Sequence, residues 1–177
     1  MSENEEKIIK VNELDSSFKY EIQAEPGGEN ITRCFACGSC TAGCPIREVN
    51  DQFNPRKIIR MALLGMKERV LSSDFIWLCS SCYTCTERCP QDVKITDLMN
   101  VIKNIAVREG YIHPSFVAQM EALNSHGRLY EIGEFDNEKR TKLGLPQIEE
   151  SAEDVKKLFK QEGVDKLLQV VTKEGEE

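Results

Sequence analysis

Cys34-Phe35-Ala36-Cys37-Gly38-Ser39-Cys40-Thr41-Ala42-Gly43-Cys44-Pro45 is answered 45 residues later by Cys79-Ser80-Ser81-Cys82-Tyr83-Thr84-Cys85-Thr86-Glu87-Arg88-Cys89-Pro90. Both stretches read C-x2-C-x2-C-x3-C-P, and together they consume all 8 cysteines of the 177-residue chain. This is the bacterial-type iron–sulfur run. Two complete runs imply two [4Fe–4S] clusters and one-electron chemistry.

The spacing has a mechanical reason. Thiolates are soft ligands suited to iron–sulfur clusters, and two intervening residues let a tight turn aim three sulfurs at one cube. The fourth cysteine of a run points away, and in two-cluster ferredoxins it ligates the other cluster. The expected ligand sets are therefore Cys34, Cys37, Cys40 and Cys89 for one cluster, and Cys79, Cys82, Cys85 and Cys44 for the other. Zinc sites favour C-x2-C pairs separated by a spacer, which fits less well. Disulfides suit secreted chains, but Met1-Ser2-Glu3-Asn4-Glu5-Glu6-Lys7 has no apolar signal core. The chain reads as cytoplasmic, with no run long enough to span a membrane.

Residues 33–108 hold eleven Lys/Arg and seven Asp/Glu, a local charge of +4 in a chain of −7. A basic stretch can suggest nucleic acid, but each oxidised four-thiolate cubane carries roughly −2 and its charge must be counted. The basic residues then offset cluster charge, and no nucleic-acid partner is expected.

The coarse reading is mainly α, in three parts. Residues 1–30 form an N-terminal extension, flexible or bound to a partner, in which Ile8-Ile9-Lys10-Val11 and Phe18-Lys19-Tyr20-Glu21-Ile22 suit short strands. Residues 31–110 form the two-cluster domain. In it Asn54-Pro55 opens a helix carrying Ile58, Ile59, Ala62, Leu63 and Met66. Thr96 is the expected cap of a second helix carrying Leu98, Val101, Ile102, Ile105 and Ala106, ended at Gly110. Residues 111–177 form a helical extension. Pro114 opens a helix with Phe116, Val117, Met120 and Leu123, ending near Gly127. Ser151 begins a capping pattern ahead of Val155, Leu158 and Phe159, and a last apolar set is Val164, Leu167, Leu168, Val170 and Val171.

Arg33, Arg88 and Lys94 flank the cysteines, where positive charge raises cluster potential or is simply solvated. Trp77 and Tyr83 can shield clusters from water, though core packing suits Trp77 better. His113 and His126 belong to no ligand-spaced group, so structural or surface roles are expected. No catalytic residue is expected on this chain, and no nucleotide- or flavin-binding motif occurs.

The 34-residue helical spacer between the runs resembles the α-helical ferredoxin domain of fumarate reductase and succinate dehydrogenase iron–sulfur subunits. The two runs with their flanks, Arg33 to Pro45 and Trp77 to Pro90, and the overall length resemble the C subunit of soluble heterodisulfide reductases from methanogens. That resemblance implies a non-catalytic electron-transfer role within a larger complex. The implied partners are the flavin-containing, electron-bifurcating A subunit of heterodisulfide reductase, and its B subunit with CCG motifs, where the disulfide of coenzymes M and B is cleaved. A hydrogenase or formate dehydrogenase would feed the assembly. The alternative is the iron–sulfur subunit of another oxidoreductase complex, quinone-linked or of 2-hydroxy-acid dehydrogenase type.

Overall fold

A computed structural model describes residues 9–168 of the chain, and among them every regular element is a helix. Two units are distinguished, Met1–Tyr111 and Ile112–Glu177.

In the first unit, α1 (Phe18–Ala24) is a helix where alternation suggested a strand. The reason is visible in burial: Phe18 and Ile22 are both 0% exposed, four residues apart on one helical face, while Tyr20 between them is 61% exposed. Val11 falls in a 3-10 turn, Val11–Glu13, and not in a strand; Ile8 lies outside the described residues. Cysteine-bearing helices α2 (Ser39–Ala42) and α6 (Thr84–Glu87) pack on each other. Pro45 opens the short helix α3 (Pro45–Val49).

The longer helices supply the core. α4 (Pro55–Leu63) buries Ile58, Ile59, Met61 and Ala62. Asn54 caps it as expected, its Oδ1 accepting the Lys57 N–H at 3.0 Å. α5 (Lys67–Leu71) follows, after a turn at Gly65, whose φ is 78°. α7 (Ile95–Arg108) buries every apolar position expected of it, from Leu98 to Ala106. Gly110 follows its end with φ 87°. Thr96, however, is not its cap. It lies inside the first turn, 1% exposed, and Lys94 precedes the helix without a side-chain cap. α1 packs on both α4 and α7, so this N-terminal helix contributes to the core around the cysteines. Lys67 Nζ, on α5, ties α1 to the residue that follows α7, 2.9 Å from Glu21 and 2.9 Å from Glu109.

In the second unit, α8 (Pro114–His126) starts at His113, whose Nδ1 accepts the Ser115 N–H at 3.2 Å, and ends at Gly127 with φ 68°. α9 (Glu134–Lys142) is charged on every face. α10 (Glu153–Glu162) is preceded by Ala152 with no side-chain cap, so Ser151 does not play the capping part expected of it. Instead the Ser151 carbonyl packs against Gly127, leaving no room there for a Cβ. His126 faces Glu150 at 3.5 Å, and Glu150 accepts the Ile132 N–H at 2.6 Å. Residues 164–168 are helical; Val170 and Val171 lie outside the described residues. Among the described residues of this unit only Val117 and Ala152 are buried apolar side chains.

Candidate iron–sulfur centres

The eight cysteines gather around two cavities, each of about 330 Å³ including its open mouth. Cys34, Cys37, Cys40 and Cys89 line the first, with Phe35, Arg56 and Val93. Cys44, Cys79, Cys82 and Cys85 line the second, with Ile46, Phe53, Thr96 and Met99. Ile95 lines both. Each cavity thus takes three cysteines from one run and the fourth from the other.

The turns that carry the first three cysteines repeat one backbone path. Ala36 and its counterpart Ser81 have φ of 61° and 54°, and Gly38 and Tyr83 have 90° and 62°. Such conformations are unfavourable for residues with a Cβ. A loop wrapped around a cube is a reason to hold them, since the strain must be offset by the surroundings. After the fourth cysteine the copies part. Pro45 leads directly into α3, whereas Pro90 is followed by Asp92 and Lys94 at φ of 50° and 53° before α7 begins.

Hydroxyls accompany the sulfurs at matched positions. Ser39 Oγ lies 3.5 Å from Cys37 Sγ, and Thr84 Oγ1 lies 3.5 Å from Cys82 Sγ. These contacts, with backbone N–H groups, hold both exposed thiols below the usual range and favour the thiolate that binds metal. Burial pushes Cys40 and Cys85 the other way. For them, a bound metal would have to drive deprotonation. Two threonines, Thr41 and Thr86, each follow the third cysteine of a run. Each accepts a backbone N–H from the second residue of the next long helix: Arg56 N to Thr41 Oγ1 at 3.1 Å, Thr96 N to Thr86 Oγ1 at 3.0 Å. Composition and motifs do not single out these four hydroxyl residues. Their signal in the sequence is the 45-residue offset, which pairs Ser39 with Thr84 and Thr41 with Thr86.

The flanking residues separate by position. Arg88 lies across Gly43, its own counterpart in the repeat, in space that a Cβ would occupy. Arg56, not singled out by sequence, lines the first cavity. Arg33 is exposed, and Lys94 lies in the turn before α7, at the polar hollow between Gly27 and Asp97. Trp77 packs against the hydrophobic core, while Tyr83 is 48% exposed. His113 and His126 serve the second unit as helix cap and as polar partner of Glu150.

The donor set suits a cubane. Four soft thiolates ring each space. Among the described residues no three His, Cys, Asp or Glu side chains are drawn in around the position of a single metal ion.

The family described as the 4Fe-4S dicluster domain matches residues 30–93. The C subunit of the H(2):CoB-CoM heterodisulfide,ferredoxin reductase of Methanothermobacter thermautotrophicus is 34% identical over 94% of this chain and 92% of its own length. The chain belongs to the C-subunit family of heterodisulfide reductases. Within it, the iron-sulfur C2 subunit of the CoB--CoM heterodisulfide reductase of Methanocaldococcus jannaschii is 36% identical, covering 91% of this chain and 93% of that protein. The C subunit of the Ferredoxin:CoB-CoM heterodisulfide reductase of Methanosarcina mazei is 37% identical over 71% of this chain and 77% of its own. This heterodisulfide reductase family member is accordingly an iron–sulfur electron-transfer subunit of an oxidoreductase complex, with two [4Fe–4S] clusters as its cofactors. Among its described residues no helix is long and apolar enough to cross a membrane.

Proposed function

We propose that this chain relays single electrons from a flavin-carrying, bifurcating partner to a CCG-containing one, where the disulfide between coenzymes M and B is reduced during methanogenesis. These partners are the A and B subunits of heterodisulfide reductase. The assembly works in the cytoplasm and is fed by a hydrogenase or formate dehydrogenase. The observation that carries this reading is the convergence of all eight cysteines on two cavities that share a wall at Ile95. The ligand sets follow that lining: Cys34, Cys37, Cys40 and Cys89 in the first cavity, Cys79, Cys82, Cys85 and Cys44 in the second.

When bound, the clusters supply one-electron redox steps. The chain's own residues hold, space and shield them. Phe53 and Met99 exclude water from the second cavity, and Ile95 separates the two. The exposed sulfurs of Cys37 and Cys82 bring each cavity to the surface, where a partner can exchange electrons. In the second unit Leu129, Tyr130, Phe135 and Leu158 remain 57–65% exposed, which suits docking against other subunits.

Reducing a disulfide takes two electrons and two protons, so two passages through this chain serve each turnover. Cys82→Ala in the assembled complex is expected to abolish heterodisulfide-dependent turnover while leaving reduction of the flavin by the upstream donor intact. Full turnover in a variant shown to lack the second cluster would sink the relay. Anaerobic purification of the tagged chain should bring down a flavin protein and a CCG protein. Recovery with a quinone-linked membrane protein instead would overturn the assignment of partners.

A further inference from the structure

Thr96 is the one buried polar side chain among the described residues, 1% exposed, and it sits on the wall of the second cavity. Three hydrogen bonds meet there. The Thr96 N–H donates to Thr86 Oγ1 at 3.0 Å. The Thr86 hydroxyl donates to Thr96 Oγ1 at 3.1 Å. Thr96 Oγ1 lies 3.6 Å from Cys85 Sγ. Thr86 already takes the Thr96 N–H and spends its own proton on Thr96. A metal-bound Cys85 has no proton to give. The Thr96 proton therefore points at the sulfur, at the end of a chain whose members polarise one another.

The first cavity lacks this device. Thr41 Oγ1 stands 3.9 Å from Cys40 Sγ, but it donates to Asn54 Oδ1 at 2.9 Å and so has no proton for the sulfur. Arg56 occupies the helix position equivalent to Thr96, and its backbone N–H goes to Thr41. The paired contacts at Cys37 and Cys82 are alike in both copies. Cys89 accepts from the Val93 N–H at 3.5 Å, a bond that belongs to the first cavity.

We propose that Thr96 is a positioning residue for electron transfer: its buried hydroxyl donates to Cys85 and raises the reduction potential of the second cluster alone. A hydrogen bond to a cluster sulfur stabilises the reduced state, which carries more negative charge. With water excluded around Thr96, that contribution is not replaced when the hydroxyl is lost. The inference rests on the ligand sets proposed above.

The test is an anaerobic redox titration of the full chain, followed by electron paramagnetic resonance, with iron and sulfide assayed on every sample. Fewer than about eight iron in the unmodified chain would fail the cofactor reading itself. Cys82→Ser labels the midpoint that belongs to the second cluster; if it moves both midpoints equally, the partition of ligands fails. Thr96→Val is expected to lower that labelled midpoint and leave the other unmoved, while Thr96→Ser stays near the unmodified value. Two unmoved midpoints, or an equal fall in both, overturn the proposal. Thr96→Ala guards against a poor fit of valine. Failure of both Val and Ala variants to hold the second cluster also overturns it, since the hydroxyl would then be a requirement for assembly.

Discussion

Asn54 and Thr86 start the two long helices of the cluster unit from different places in the chain. Asn54 stands at the helix end and accepts the Lys57 N–H. Thr86 reaches in from α6 and accepts the N–H of buried Thr96. The two losses should therefore differ in size. Asn54→Ala removes a cap whose Lys57 donor is near solvent, together with the acceptor of the Thr41 hydroxyl, and about 1 kcal/mol of stability is expected to go with it. Thr86→Val strands a buried N–H, and the loss should be about 1–3 kcal/mol. The shift in the urea midpoint of the anaerobic, fully loaded chain checks the order. Equal shifts would mean that water reaches Thr96 when Thr86 is gone. Asn54-Pro55 is readable in the sequence because the cap is adjacent to the turn it serves. Thr86 is not, because its helix begins nine residues later, and local pattern assigns to Thr96 the part that Thr86 plays.

Helix α1 makes the same point for an element. Phe18-Lys19-Tyr20-Glu21-Ile22 alternates like a strand, and seven residues are too few for helical periodicity to outvote the alternation. Packing decides: Phe18 and Ile22 are fully buried in the core, while Tyr20 is turned outward. Phe18→Ala should cost about 3–5 kcal/mol and speed the loss of visible absorbance from the clusters under urea. Unchanged cluster lifetime would detach α1 from the core. α4, α7 and α8 are legible because each repeats apolar residues at helical spacing and starts or stops at Pro or Gly. α9 is not, because its only large apolar side chain is Phe135, 65% exposed, with no apolar face to show. The cysteine runs are legible in full as a cofactor signature. The hydroxyls around them are not, because a serine or threonine acquires meaning only from the sulfur beside it.

At the scale of the whole molecule, the first unit combines a conventional apolar core with metal-dependent parts. α4 and α7 bury continuous faces against α1 and α5. α2 and α6 are four residues each, far below the length at which a helix stands alone, and they carry Cys40 and Cys85. Removing iron anaerobically with a chelator should therefore release amide protection first in α2 and α6, with α7 opening later. Hydrogen exchange followed along the chain checks the sequence of events; simultaneous opening of α7 would make the clusters the core itself. The crossing of the fourth cysteines between cavities has a further consequence. Neither half of the chain is a smaller version of the whole: divided anywhere between Pro45 and Leu78, it yields two fragments with four thiols each and no complete enclosure. On the proposed ligand sets, damage at Cys44 or Cys89 would likewise reach across to the neighbouring centre. On the same sets, either cluster by itself would already staple one run to the other.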